Sequence, residues 1–390
     1  MSGAAADAHA ADPPSPERRR RAPGSGLTGL AVGLLLLIGL LLVPDLTPTD
    51  LTPTVGQTNV RAVVVREAGT DERGIPAYEV DILEGPDAGA RLTASAESLA
   101  GPVPGGSVQG GYRPGDEVVV ATFTGPAGGF SVIAEPWRLP VLGLLLGAFA
   151  AAVVVVGGMR GLRSLVALGL TLGVIVKLVV PLFLRGWDPV LVAVGVAAAV
   201  TIATLAITEG LGRVTVAAVL GTLTALLLTA GLAAVFNAAA AFTAVQGNEE
   251  IAFLIPIVGE RVDLQGILLA ATVFGALGVI DDVTVTQAAA VEQLHAAEPT
   301  GGRALVVRRA MRVGRSHIAA TVNTLVLAYL GAGLPLLLLF SLSGQAPAMV
   351  LNGELLAVEV IRALVGSIGI VAAVPLTTLV AAILIVPRRP

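Results

Sequence analysis

Two carboxylates stand side by side at Asp281 and Asp282, at the end of the apolar run 275–287, with no break in its helical pattern. Carboxylates at membrane depth are costly unless they face a bundle interior or water. Such a pair therefore either binds or relays a cation or proton, or sits just past the membrane edge beside arginines. Thr284, Thr286 and Gln287 are the neighbours that would complete a cation or proton site. A second polar set lies in residues 314–325. There His317, Thr321 and Thr324 recur at i, i+4 and i+7 and share one helical face, with Asn323 on its flank. Lipid offers no hydrogen bonds, so this stripe is expected to point at other helices, where it lines a pathway or bonds helix to helix.

Other charged residues within apolar runs have simpler readings. Lys177, the single lysine, lies near one end of its run, where its long stem can reach the interface. Glu359 and Arg362 are three apart, a favourable spacing for a pair. Much chemistry is missing. With no cysteine there are no disulfides, thiolate metal sites or cysteine nucleophiles. Phosphate-loop, zinc-hydrolase and serine-hydrolase motifs are absent. Neighbouring helix positions point about 100° apart, so Asp281 and Asp282 do not converge as an aspartyl protease pair must. The chain is expected to be no enzyme and to carry no metal or cofactor.

These residues must be positioned by membrane helices. The 390 residues are 55% hydrophobic and 13% charged, against roughly 25% charged in soluble domains. A net charge of −4 and 4% aromatics leave no nucleic-acid surface. Residues 1–26 read as a disordered tail ending in Arg18, Arg19, Arg20 and Arg21. The run 27–43 is near the lower limit of a spanning helix, about 17–25 residues, and no small-x-small cleavage site follows it, so it reads as an anchor. Further spans are expected near 139–156, 164–184, 190–208, 214–236, 264–280, 318–342 and 361–386, making eight with the anchor. Pro335 and Pro375 interrupt the last two. The stretch 237–263 is re-entrant or interfacial, because its apolar part, 251–258, is too short to span and contains Pro256. The pairs Gly29/Gly33 and Gly169/Gly173 are the small residues through which helices in lipid approach closely. If the helix enters at Leu264, a rise of about 1.5 Å per residue puts Asp282 about 27 Å deep, near the far edge of a roughly 30 Å hydrocarbon layer.

Between residues 45 and 137 charge returns, with Pro and Gly turns between short alternating runs at 60–65, 78–83, 118–123 and 130–134. About five strands in so short a segment predict a small barrel of oligonucleotide-binding (OB) or SH3-like type, which by itself assigns no function. Arginine distribution gives orientation. With the N-terminus in the cytoplasm, fourteen arginines of the short flanking segments fall inside and only Arg185 and Arg261 fall outside. Both termini and a loop near 288–315 are then cytoplasmic, and the β domain lies outside a plasma membrane.

The block 275–287, the block 314–336 and the block 362–377 resemble the YibE/F family of bacterial membrane proteins, and the similarity extends over most of the chain after the tail. The resemblance implies a multi-pass protein with an N-terminal anchor and an external segment before the bundle. It implies no activity. Ser316 stands where many members carry an acidic residue, which argues against a charge relay through positions 316 and 317. Two function classes follow. One is a permease for a small solute or cation, with Asp281 and Asp282 as its binding groups and His317 and Asn323 shaping the path. The other is a membrane scaffold or sensor whose external domain binds an envelope protein partner.

Overall fold

The computed structural model describes residues 24–48, 56–71, 74–96, 111–125, 128–244, 255 and 258–387. The expected tail up to residue 23, the C-terminal arginines 388 and 389 and most of the ambiguous stretch 245–257 lie outside the described residues.

Five strands form a closed barrel: β1 (Gly56–Thr70), β2 (Pro76–Ile82), β3 (Arg91–Ser95), β4 (Glu117–Gly125) and β5 (Gly128–Pro136), in the order β1-β2-β3-β5-β4. β1 runs antiparallel to both β2 and β4, and β3 meets β5 in parallel through Ser95 and Val132. Alternation buries Ala62, Val64, Tyr78, Val80, Val118, Val120 and Ile133 in one core. Two irregularities along β1, at Val64/Arg66 and Glu67/Gly69, bend the strand, and closure leaves no free sheet edge. The sequence runs named four of these strands. β3 went unnamed because only Leu92 and Ala94 turn toward the core.

The helices are α1 (Gly24–Leu42), α2 (Leu139–Val174), α3 (Val180–Leu184), α4 (Pro189–Thr208), α5 (Arg213–Ala239), α6 (Leu264–Ala297), α7 (Arg303–Ala332), α8 (Leu334–Leu342), α9 (Pro347–Asn352) and α10 (Glu354–Ile385). A wide π-type turn, Ile175–Val179, joins α2 to α3. Among the described residues five helical runs are long and apolar enough to cross a membrane, with a sixth if α7 and α8, bent by 59°, are one span. The bend falls at Gly333, just before Pro335, while α10 continues through Pro375. The expected loop near 288–315 is instead two helical extensions of α6 and α7 joined by residues 298–302, because this polar stretch has no helix breaker before Pro299.

Within α2 the chain turns back. Gly158 has φ 56° and ψ −137°, outside the helical region, and this conformation favours glycine. A Cβ on Gly161 would overlap the Val153 carbonyl oxygen, eight residues earlier, an approach a continuous helix does not permit. The 139–184 run is thus two helical arms meeting at 157–158.

Small residues set the packing. Leu37 and Leu40 of α1 seat on Gly169 and Gly173 of α2, and Gly33 of α1 lies against Val166. Between α5 and α10, Gly221 faces Thr377 and Gly369 faces Thr229 so closely that a Cβ on either glycine would overlap the threonine hydroxyl. Lys177 does not reach away from the bundle: its Nζ donates to the carbonyls of Leu41 (3.3 Å) and Val43 (3.1 Å), capping α1. One end of the bundle thus gathers the C-terminus of α1, the N-terminus of α4 and Arg261 beside Gly186. The opposite end gathers Arg163 with the last turn of α4, and Arg303 with the carbonyls of Ile383 and Val386 at the end of α10.

Candidate functional site

Asp281 lies where α4, α5 and α6 meet. Its carboxylate accepts from Thr201 Oγ1 of α4 at 3.3 and 3.4 Å. Thr222 of α5 lies 2.7 Å from Thr284 Oγ1. Thr284 in turn donates to the Asp281 backbone carbonyl at 3.0 Å. All three threonines are fully buried. The sequence explains this local order. Thr284 follows Asp281 by three positions and so returns to its face, while Thr201 projects from an otherwise apolar stretch of α4.

The carboxylate opens onto a cleft of about 770 Å³ between the α2 turn-back, α4 and α6. Asp281 and Asp282 line it together with Arg160, Ser164, Thr204 and Glu209. Asp282, one position on, is exposed on the cleft side, as the 100° offset between neighbours requires. Among the described residues neither aspartate forms an ion pair, so the arginine-paired reading of these carboxylates has no support in the geometry.

The other expected residues are dispersed. Thr286 is exposed. Gln287 is buried away from the cleft, and its Nε2 donates to Ala310 O of α7 (3.0 Å) and Thr378 Oγ1 of α10 (2.7 Å). His317 and Thr321 are half-buried on α7 and do not line the cleft. Asn323 and Thr324 are exposed, and Thr324 Oγ1 donates back to Ala320 O. α7 packs instead through its small and apolar face, Val306, Ala310, Gly314 and Leu325. Glu359 and Arg362 form the expected pair at 2.7 Å.

Sequence reasoning missed Thr201, Thr204 and Thr208. Their spacing of i, i+3 and i+7 puts them on one face of α4, and that face reaches both the carboxylate and the cleft. It also missed Arg163, which is 9% exposed and donates to Ile207 O at 3.2 Å, a cation at the negative end of α4.

Oxygen is the only ligand chemistry at Asp281: one carboxylate and the hydroxyl of Thr201. That set suits a hard cation or a proton and offers nothing to a soft metal. Among the described residues no group of three or more His, Asp or Glu could hold a metal ion.

Long apolar helices and a small closed barrel define a helical membrane protein with an appended β domain. Residues 145–387 match the YibE/F-like protein family, and the chain belongs to that family. No curated protein and no solved structure matches the chain.

Proposed function

We propose that the chain is a permease-like protein of the bacterial plasma membrane that moves a small solute or ion, with Asp281 as its binding group. In this reading the helices make eight crossings. Both termini are cytoplasmic and the barrel is external. The observation that carries the reading is a carboxylate held by the Thr201 hydroxyl of a neighbouring helix and open to a cleft at membrane depth. Carboxylates in such places mark ion or substrate pathways. The arginines support the orientation: Arg160, Arg163 and Arg213 and the five of 303–315 gather at the end away from the barrel's flanking segments, and Arg185 and Arg261 at the other. The test is flux into proteoliposomes with sodium-22, rubidium-86 and a pH-sensitive dye as probes. Asp281→Asn is expected to abolish whichever flux the natural chain supports. Equal flux in the variant sinks the reading.

One observation favours the scaffold or sensor reading of the barrel. Phe130 is 56% exposed and stacks on Phe123 (centroids 4.9 Å apart) across the β4–β5 pair. An exposed aromatic pair of this kind is a typical anchor for a protein partner. A photoreactive residue at position 130 is expected to crosslink one envelope protein. Crosslinks no more specific than those from Glu67, on another face, defeat this reading.

A further inference from the structure

A second pocket lies on the axis of the first. It measures about 420 Å³ and sits at the barrel-side ends of α4, α5 and α6. Asn237, Thr243, Asp263 and Gln265 supply its polar lining, and among the described residues no arginine or lysine lines it. Asp263 caps α6, with Oδ1 accepting from Gly266 N at 3.0 Å. α5 ends beside it at Ala239, which turns the negative end of that helix toward the pocket. Asp263 is thus the one formally charged side chain among the described lining residues, set against the positive N-termini of α4 and α6, and the side-chain lining is negative. So is that of the Asp281 cleft at the other end, where three carboxylates face the single cation of Arg160.

The two cavities share the same three helices. On α6, Gly266 lines one and Asp281 the other, and fifteen residues at about 1.5 Å each separate them by roughly 22 Å. What lies between is a buried apolar layer: Ala193 and Ala197 of α4, Leu226 and Ala230 of α5, and Ala270, Val273 and Leu277 of α6, with Phe183 and Phe274 packed against it.

We infer that the barrel-side pocket is the outer mouth of the same pathway, that the permeant species is a small singly charged cation, and that the buried apolar layer is the barrier between mouth and binding carboxylate. This rests on the permease reading and gives it a substrate class. Both mouths carry negative lining, which concentrates cations and repels anions. The binding site offers one carboxylate and neutral hydroxyls, which match one positive charge. A divalent ion demands more oxygen charge than Asp281 supplies alone.

The chain has no cysteine, so each introduced cysteine is the only thiol. Three single variants, Ala238→Cys in the outer mouth, Ala230→Cys in the barrier and Val285→Cys in the inner cleft, are reconstituted in vesicles of phosphatidylethanolamine and phosphatidylglycerol. Modification rates are measured with a cationic trimethylammonium thiosulfonate, an anionic sulfonate analogue and Ag⁺. Cation over anion is expected to be at least about tenfold at Ala238→Cys and Val285→Cys, normalised to a free thiol. Asp263→Asn should cut the ratio at Ala238→Cys several-fold while keeping α6 capped, since asparagine caps as well as aspartate. Ala230→Cys should react with Ag⁺ and with neither larger reagent. A ratio near one, a ratio indifferent to Asp263→Asn, or an Ala230→Cys thiol that Ag⁺ does not reach overturns the inference. These rates need no flux, so their failure is distinct from failure of the permease reading, which the Asp281→Asn flux decides.

Discussion

Gln287 stands one helical turn and a half from Asp281, yet its contacts make it a staple between helices. It is 3% exposed, and its Nε2 joins α6 to Ala310 O of α7 and Thr378 Oγ1 of α10. Gln287→Leu keeps the size and removes both bonds. Thr378 retains its own bond to Val374 O at 2.7 Å, so the substitution strands no hydroxyl. Interhelical hydrogen bonds in membranes average about 0.6 kcal/mol and reach about 1.7. Two of them put the loss at about 1–3 kcal/mol, toward the lower end because no buried group is left without a partner. Thr378→Ala removes one bond, about 0.6 kcal/mol, and the double variant should show coupling of about that size. Unfolding in mixed dodecyl maltoside–SDS micelles, followed by circular dichroism, measures all three. Flux should persist in the natural lipid. A loss below about 0.3 kcal/mol for Gln287→Leu would show that the bonds are not made. Flux abolished with stability intact would move Gln287 into the pathway and refute the division drawn between it and Asp281.

Three further outcomes follow from the packing and the barrel. Gly369→Ala drives a methyl into Thr229 Oγ1 and should destabilise by about 1–3 kcal/mol in the same micelle assay, with Thr229→Ala restoring part of the loss; additive effects would contradict the contact. Lys177→Met removes the donor to Leu41 O and Val43 O, and should raise hydrogen exchange across residues 38–43 at least several-fold. Lys177→Arg should retain most of the protection, and unchanged exchange in Lys177→Met would deny the cap. In the barrel, the hydrogen bond from Arg91 holds the Asp81 carboxyl below the usual carboxylate range. A carboxyl depressed in the folded state adds stability above its unfolded value, near pH 4, and loses it as pH falls through the folded value. Asp81→Asn should therefore lower the barrel's stability slightly at pH 6–8, converge with the natural chain once the pH falls below the folded value of Asp81, and so flatten the acid sensitivity below about pH 4, read by Trp137 emission in a Trp187→Phe background. Identical acid transitions would dismiss the pair.

The spans were legible because lipid imposes a crude requirement, a long run without charge, and α2, α4, α5, α6 and α10 meet it. Even the reversal inside α2 had a mark, since Gly157 and Gly158 with Arg160 and Arg163 separate two apolar runs. Asp281 was visible for the opposite reason: charge is expensive where it stands. Its partners were not visible. Threonine in an apolar helix ordinarily bonds its own preceding turn, as Thr204 does to Val200 O and Thr224 to Leu220 O. Nothing local separates those from Thr201, which sits 80 positions from Asp281 in the chain. The α7 stripe misled because polar residues were used to choose the inward face. Close approach in lipid is governed by small ones, and Ala310 and Gly314 turned that side inward, leaving Asn323 and Thr324 outside.

Two neighbouring aspartates thus occupy unlike surroundings, and the difference follows from helical geometry alone. A rotation of about 100° carries one side chain into the junction of α4, α5 and α6 and the other onto the cleft wall. A bonded carboxylate between helices can select a ligand, because a ligand must match its hydroxyl neighbours to replace them. An exposed one, with Glu209 nearby, can only raise the local concentration of cations. Selection and attraction are separate tasks, and a mouth lined by carboxylates at each end is of use only if something between them discriminates. Among the described residues Asp281 is the carboxylate on the α6 axis that accepts from a hydroxyl of another helix. The physical case for a cation pathway therefore rests on Thr201 as much as on the acid it holds.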